Sequence, residues 1–150
     1  MSRRVGPGLL RAARFAGRRP GEALLLARMA GWVLALSALI KLLPLPHVLR
    51  LVAAAPRPAR ADRASAPPER LAQLLDALLG LNLFVFTPTC WKRAPVLQRY
   101  LALNGVGTRI VFGVRKDGGD ALAGHAWLER DGQPVFEPHP PDYIVTYGYP

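Results

Sequence analysis

The sequence predicts an α+β protein in which helices pack on one face of an antiparallel sheet. Between residues 23 and 104, apolar residues form one long run and then two stretches with the spacing of a helical face. From residue 108 onward, apolar and polar residues alternate with the period of about 2 that is typical of half-buried strands. Glycine-containing turns separate these segments, which predicts hairpins. Helices first and paired strands afterwards are the order expected of the α+β class.

The first 60 residues are basic and largely apolar. They hold eleven of the 20 Lys and Arg residues and a single acid, Glu22, so the formal net charge of +10 belongs to them. Residues 1–22 have no sustained hydrophobic period and are predicted to be mobile. Residues 23–55 are predicted to be helical, with one helix in "ALLLARMAGWVLALSALI" and a shorter one in "PHVLRLVAAA".

Composition leaves the environment of the first helix open. A membrane span needs about 20 mainly apolar residues, and this run is 18 residues long only if it includes Arg28, which is costly at mid-depth. Three environments remain possible for this helix: it packs on the protein or on a partner, it contacts a membrane surface through residues 23–50, or it spans the membrane. Nucleic acid is not favoured as a partner, because the basic residues are not interleaved with aromatics and residues 61–150 have no net charge.

A second unit follows a linker. Residues 56–69, "PRPARADRASAPPE", have the composition of a linker, and the domain boundary is placed there. Residues 70–150 begin with a helix in "PERLAQLLDALLGLN", for which Gly80 is a stop signal, and a second helix in "CWKRAPVLQRYLALNG". The predicted strands are "TRIVFGVRK", "ALAGHAWLE", "QPVFE" and "YIVTY".

The third of these strands is predicted to bring an acid to a histidine. If residues 130–132 form a three-residue loop, counting back in steps of two puts His125 opposite Glu137. Their Cβ atoms would then lie about 5 Å apart on one face of the sheet. A carboxylate in that position can hold one ring nitrogen and stabilise an imidazolium.

The single cysteine, Cys90, is the candidate nucleophile. It stands at the start of a predicted helix, where free backbone N–H groups and the helix dipole favour a thiolate, and Lys92 and Arg93 add positive charge. A thiolate beside an imidazolium that a carboxylate orients is the arrangement for nucleophilic acyl transfer. One cysteine permits no intramolecular disulfide and no Cys-rich zinc site, and a reducing cytoplasm is the simplest compartment. No metal and no cofactor are expected.

Each of these three residues also has an ordinary structural interpretation. A lone cysteine is usually a small buried apolar residue, a histidine on a strand is more often structural than catalytic, and a glutamate at a strand end is commonly solvated. The order and spacing of Cys90, His125 and Glu137 nevertheless favour a catalytic role.

That order resembles the transglutaminase-like (papain-like) cysteine peptidase superfamily. More narrowly, "CWKRAPVLQRYLALNGVGTRIVFGVRKDGG" and "GHAWLERDGQPVFE" are similar to the stand-alone leader peptidases of lasso peptide biosynthesis. The apolar helix that ends in Leu-Leu-Pro resembles the segment that precedes the catalytic domain in those proteins. The resemblance covers roughly residues 21–137.

The resemblance implies removal of the leader from a ribosomally made precursor, before a separate lasso cyclase forms the macrolactam. It also implies a leader-recognition partner protein that acts in trans. Carried over by position, Cys90 is the nucleophile, His125 the general base and then acid, and Glu137 the orienting carboxylate. The family usually has Asp in the third position, which leaves Asp131 and Asp142 as alternatives.

Other functions remain as alternatives at this point. The same triad serves a transglutaminase-like acyltransferase, since an amine can replace water as the second nucleophile. A non-catalytic protein that binds a membrane surface or a partner is the third alternative. Pro95, five residues after Cys90, also allows a late or kinked start to the helix that carries the cysteine.

Overall fold

A computed structural model describes residues 20–54, 66–116 and 121–150. Of the predicted mobile segment 1–22 and the predicted linker 56–69, residues 1–19 and 56–65 lie outside the described residues. The described ends of both segments include the first residues of helices, which begin at Pro20 and Pro68. The helices are α1 (Pro20–Leu42), α2 (Leu45–Val52), α3 (Pro68–Leu79) and α4 (Cys90–Leu103). The strands are β1 (Arg109–Lys116), β2 (Leu122–Arg130), β3 (Gln133–Val135) and β4 (Ile144–Tyr149). The described residues therefore have the predicted α+β architecture, with helices packed against a four-stranded antiparallel sheet.

Helix α1 packs into the same apolar core as the other helices. Met29, Val33 and Leu36 on its inner face are at most 1% exposed, and they cluster with buried residues of α2, α3 and α4. An ion pair of 2.9 Å between Glu22 and Arg70 joins the start of α1 to α3. By length and composition the segment Gly21–Leu42 is also sufficient to cross a membrane, a criterion that the core helix of a globular domain meets equally well.

Helix α4 begins at Cys90, even though Pro95 lies inside it. The amides of Lys92 and Arg93 donate to the carbonyl of Thr89 in the first turn. At the other end Gly105 has φ of 79°, and the amide of Val106 donates to the carbonyl of Leu101, the pattern of a Schellman cap. Gly105 therefore ends α4 in the left-handed conformation that favours glycine.

The sheet has the strand order β3-β2-β1-β4, and each strand is antiparallel to its neighbour. Ile110 of β1 and Ala126 and Leu128 of β2 belong to the core that the helices share. Because side chains alternate along a strand, His125 and Trp127 of β2 belong to the opposite series. One strand thus carries both core residues and candidate site residues.

The predicted register of the β2–β3 hairpin is wrong by one residue. The structure pairs Arg130 with Gln133 and Leu128 with Val135, so the loop contains two residues rather than three. Both loop residues have positive φ, 53° at Asp131 and 76° at Gly132, which is the conformation of a type I′ turn. The turn chemistry of Asp-Gly, which favours the shorter loop, explains the difference.

Candidate active site

Cys90 occupies the first position of α4, with Thr89 as the N-terminal cap residue. The Thr89 side chain makes no capping hydrogen bond to the helix, so it does not occupy the amides of the first turn. The cysteine is half-buried and packs against the edge of the apolar core. A side chain in this position combines partial solvent access with the positive end of a helix dipole.

His125 and Glu137 are in direct contact. Nε2 of His125 lies 3.2 Å from Oε2 of Glu137, and the two side chains are 26% and 11% exposed. The carboxylate therefore engages one ring nitrogen and leaves Nδ1 for another partner. The contact that the sequence predicted between these residues is present, although the register that predicted it is not.

Phe136 explains how Glu137 reaches the histidine in the shifted register. With Leu128 opposite Val135, continued alternation would turn Glu137 away from the series that contains His125. The ladder ends at Val135, however, and Phe136 has φ of 59°. A left-handed residue interrupts the alternation of a strand, as a bulge does. The Glu137 side chain consequently lies against His125 rather than on the opposite face.

Arg93 holds the other oxygen of the same carboxylate. Its guanidinium donates to Oε1 of Glu137 at 3.3 Å and to the carbonyl of Phe136 at 3.0 Å. It also makes two hydrogen bonds to the carboxylate of Asp76 on α3, at 2.6 and 3.1 Å. Burial would lower the pKa of Arg93, but the hydrogen bonds and charge of Asp76, together with the charge of Glu137, outweigh burial and raise it. One arginine thus fixes the segment after β3 to two helices.

Lys92 points in a different direction from Arg93. It is 6% exposed, and its ammonium donates to the carbonyl of Val85 at 2.7 Å and to the Thr87 hydroxyl at 2.8 Å. Burial lowers the pKa of Lys92. The partners of the two basic residues that the sequence assigned to thiolate stabilisation are thus other groups: the loop before α4 for Lys92, and two carboxylates and a carbonyl for Arg93.

An aromatic stack orients the His125 ring. Its centroid lies 5.9 Å from that of Trp127 and 5.1 Å from that of Tyr143, with interplanar angles of 17° and 30°. Tyr143 can approach because β1 has Gly113 opposite His125. A Cβ atom at residue 113 would lie 2.8 Å from Cβ of Tyr143 and 3.0 Å from a ring carbon of Trp127. The stack therefore depends on glycine at this position.

A cavity of about 670 Å³ connects these groups. Cys90, Arg93, His125 and Glu137 all line it, together with apolar side chains that include Leu79 and Trp91. The three candidate catalytic residues thus face a common space, at the point where the start of α4 meets the end of β3. The space is large enough for a segment of extended peptide.

The alternative carboxylates are elsewhere. Asp131 lies in the hairpin turn with 92% of its side chain exposed, 3.7 Å from Arg130. Asp142 is exposed in the loop before β4. Of these three candidates, Glu137 is the one that lies within hydrogen-bond distance of His125.

The sequence missed two contributors, Asp76 and Tyr143. The sequence around an acid on a helix face does not indicate which distant arginine it binds, so no pattern predicted the contact between Asp76 and Arg93. Tyr143 had an indirect one, since an isolated glycine inside a strand, here Gly113, indicates that another group approaches closely.

The comparison with protein families agrees with this architecture. The model of the transglutaminase-like superfamily matches residues 30–147. The chain therefore belongs to the transglutaminase-like superfamily, whose fold is generally that of cysteine-protease-like enzymes and which includes both peptidases and acyltransferases. Neither the curated proteins nor the solved structures gave a match.

Proposed function

We propose that this protein is a cysteine endopeptidase that removes the leader from a lasso peptide precursor in the cytoplasm, before macrolactam formation. The observation that supports this most directly is the 3.2 Å contact between His125 and Glu137 in a cavity that Cys90 also lines. We further propose that a partner protein, acting in trans, recognises the leader and that a lasso cyclase uses the product.

In the acylation step, Sγ of Cys90 attacks the carbonyl carbon of the amide between leader and core as a thiolate. A C–S bond forms and the carbonyl π electrons move to oxygen. When the intermediate collapses, the C–N bond breaks and the His125 imidazolium gives its proton to the departing α-amine of the core. The leader remains on Cys90 as a thioester. Because Glu137 engages Nε2, Nδ1 is the nitrogen that exchanges this proton.

In the deacylation step, neutral His125 takes a proton from a water molecule, whose oxygen attacks the thioester carbon. The C–S bond then breaks with its electrons on sulfur, which restores the Cys90 thiolate beside the His125 imidazolium. The leader leaves as a carboxylic acid and loses its remaining proton to solvent. Glu137 stabilises the imidazolium in both steps without becoming protonated. The uncapped first turn of α4 provides backbone N–H groups for the negative oxygen of each intermediate.

Mass spectrometry of a lasso precursor incubated with the full chain and its leader-recognition partner tests this function. We expect Cys90→Ala to lower the rate of leader release about 10⁴-fold or more, and Cys90→Ser to be nearly as poor because a hydroxyl is much harder to ionise. His47→Ala is the control, because His47 is exposed on α2. Undiminished cleavage by Cys90→Ala would rule out the mechanism.

Thiol alkylation tests the same site without a substrate. A Cys90 thiolate paired with the His125 imidazolium should react with iodoacetamide faster than free cysteine at neutral pH, and His125→Ala should remove the excess. A thiol that reacts no faster than free cysteine, with or without His125, would favour a non-catalytic protein.

Acyl transfer to an amine is the second candidate, and the superfamily match itself supports it, since the superfamily includes acyltransferases. Both reactions pass through the same thioester. Cleavage in ¹⁸O-labelled water distinguishes them, because hydrolysis places the label in the new leader carboxylate and transfer to an amine does not.

A further inference from the structure

The outward face of α1 is apolar and exposed. Leu24, Leu34 and Leu42 are 55%, 50% and 78% exposed. At about 100° per residue, Leu24 and Leu42 point in the same direction and Leu34 lies about 80° to one side. Small residues fill the exposed positions between them. We call this surface the outward stripe; it consists of Leu24, Ala27, Gly31, Leu34, Ala38 and Leu42.

Basic residues border the outward stripe. Arg28 and Lys41 are exposed, and they lie about 40° and about 100° from Leu24 on opposite sides of the helix. Residues 1–19 add six arginines and no acid. An apolar helix face between Arg and Lys residues is typical of helices that lie in the interface of an anionic bilayer. A second copy of this chain would instead bring like charges together.

The inward face of α1 determines how a bilayer can be approached. Its side chains are buried in the protein core, as described above, and the guanidinium of Arg99 on α4 lies 3.9 Å from the ring centroid of Trp32. Crossing the membrane would separate α1 from this core and from the Glu22–Arg70 ion pair. Lying on the membrane buries the outward stripe and leaves those contacts intact.

We propose that α1 docks this protein on the surface of an anionic membrane while it stays packed on the domain. The outward stripe enters the headgroup region, and Arg28 and Lys41 on either side of it bind lipid phosphates. The proposal is independent of the reaction, because it uses none of the residues that line the cavity.

Co-sedimentation of the full chain with vesicles tests this proposal. We expect binding to phosphatidylcholine mixed with phosphatidylglycerol, weaker binding to phosphatidylcholine alone, and a fall in binding as salt rises to about 0.5 M. The double variant Leu34→Glu/Leu42→Glu should bind these vesicles at least about tenfold more weakly than the wild type, because it places charges in the apolar face. The double variant Arg28→Gln/Lys41→Gln should bind vesicles that contain phosphatidylglycerol more weakly and with a smaller dependence on salt.

The matched control is Leu122→Glu/Ile144→Glu. These residues are 66% and 75% exposed on the sheet, and the double change alters the net charge equally. Retained binding in this control supports the outward stripe as the contact. Binding that is absent from both vesicle types, or that both double variants lose equally, would overturn the proposal. Leader release measured without vesicles should be unchanged in Leu34→Glu/Leu42→Glu, so failure of docking is separable from failure of the proposed reaction.

Discussion

Lys92 and Arg93 are adjacent cations in the first turn of α4, but they lie in different surroundings. Lys92 donates to a carbonyl and a hydroxyl, and its pKa is lowered by burial. Arg93 faces the carboxylates of Asp76 and Glu137, and its pKa is raised because these partners outweigh its burial. Neutral acceptors satisfy the hydrogen bonds of a buried cation without compensating its charge, whereas carboxylates do both.

The difference separates two tasks. Lys92 ties the loop before Cys90 to α4, a contact within seven residues along the chain. Arg93 binds Glu137, which lies 44 residues further along the chain. It therefore connects the helix that begins at the candidate nucleophile with the carboxylate that contacts the candidate base, His125. We expect changes on the Arg93 side to affect the reaction, and changes on the Lys92 side to affect the loop.

Among changes to Lys92, Arg93 and their partners, Glu137→Gln should have the largest effect, because it removes the charge that Arg93 and His125 share. We expect kcat/KM for leader release to fall by about 10² to 10⁴, since an amide cannot stabilise the imidazolium. Asp131→Asn and Asp142→Asn are the controls and should retain activity. A collapse of activity in Asp142→Asn with a mild effect in Glu137→Gln would reassign the third residue of the triad.

Arg93→Met should have an intermediate effect of about 10- to 100-fold on kcat/KM. It should also lower the free energy of unfolding by about 1 to 3 kcal/mol, because two carboxylates lose a partly buried partner. Arg93→Lys should recover part of each loss, since it retains the charge without the fork of donors.

A double-mutant cycle distinguishes positioning from mere stabilisation. If Arg93 acts on the reaction through Glu137, adding Arg93→Met to Glu137→Gln should cause little further loss of activity. Urea denaturation of the double variant should still show the loss of stability that comes from breaking the Arg93–Asp76 ion pair. Full additivity of the two losses of activity would show that Arg93 acts independently of Glu137.

Lys92→Met should have the smallest effect, with kcat/KM changed by no more than about threefold. Because the pKa of Lys92 is lower in the folded protein than its ordinary value of 10.5, the unfolded chain binds more protons between the two values. The free energy of unfolding of the wild type should therefore rise with pH across that window. Urea denaturation at several pH values should show this component in the wild type and not in Lys92→Met; identical pH profiles would contradict it.

The sequence predicted the elements of the sheet better than it predicted their alignment. Alternation identified the strands around His125, and the helix that begins at Cys90 was predicted from its apolar face. The loop length was wrong because Asp131 and Gly132 together close the turn with two positive φ angles. A left-handed phenylalanine at residue 136 then restored the contact that the wrong register had predicted, and no local sequence rule anticipates that conformation for Phe.

The contacts that join distant elements were the least predictable. Arg93 was expected to act on the thiol, but its direct partners are Asp76 and Glu137, which lie on separate elements. Spacing along a helix indicates which side chains share a face, and it does not indicate which distant element covers that face.

The orientation of the His125 ring depends on the absence of a side chain at Gly113. Its bare backbone leaves a recess in β1, one of the two inner strands, and Tyr143 fills that recess. Tyr143 in turn lies over the imidazole. Transplanting His125 and Glu137 into another sheet would therefore fail to reproduce their geometry unless the recipient had the same recess. Gly113 therefore belongs to the minimal set of residues that such a graft must carry.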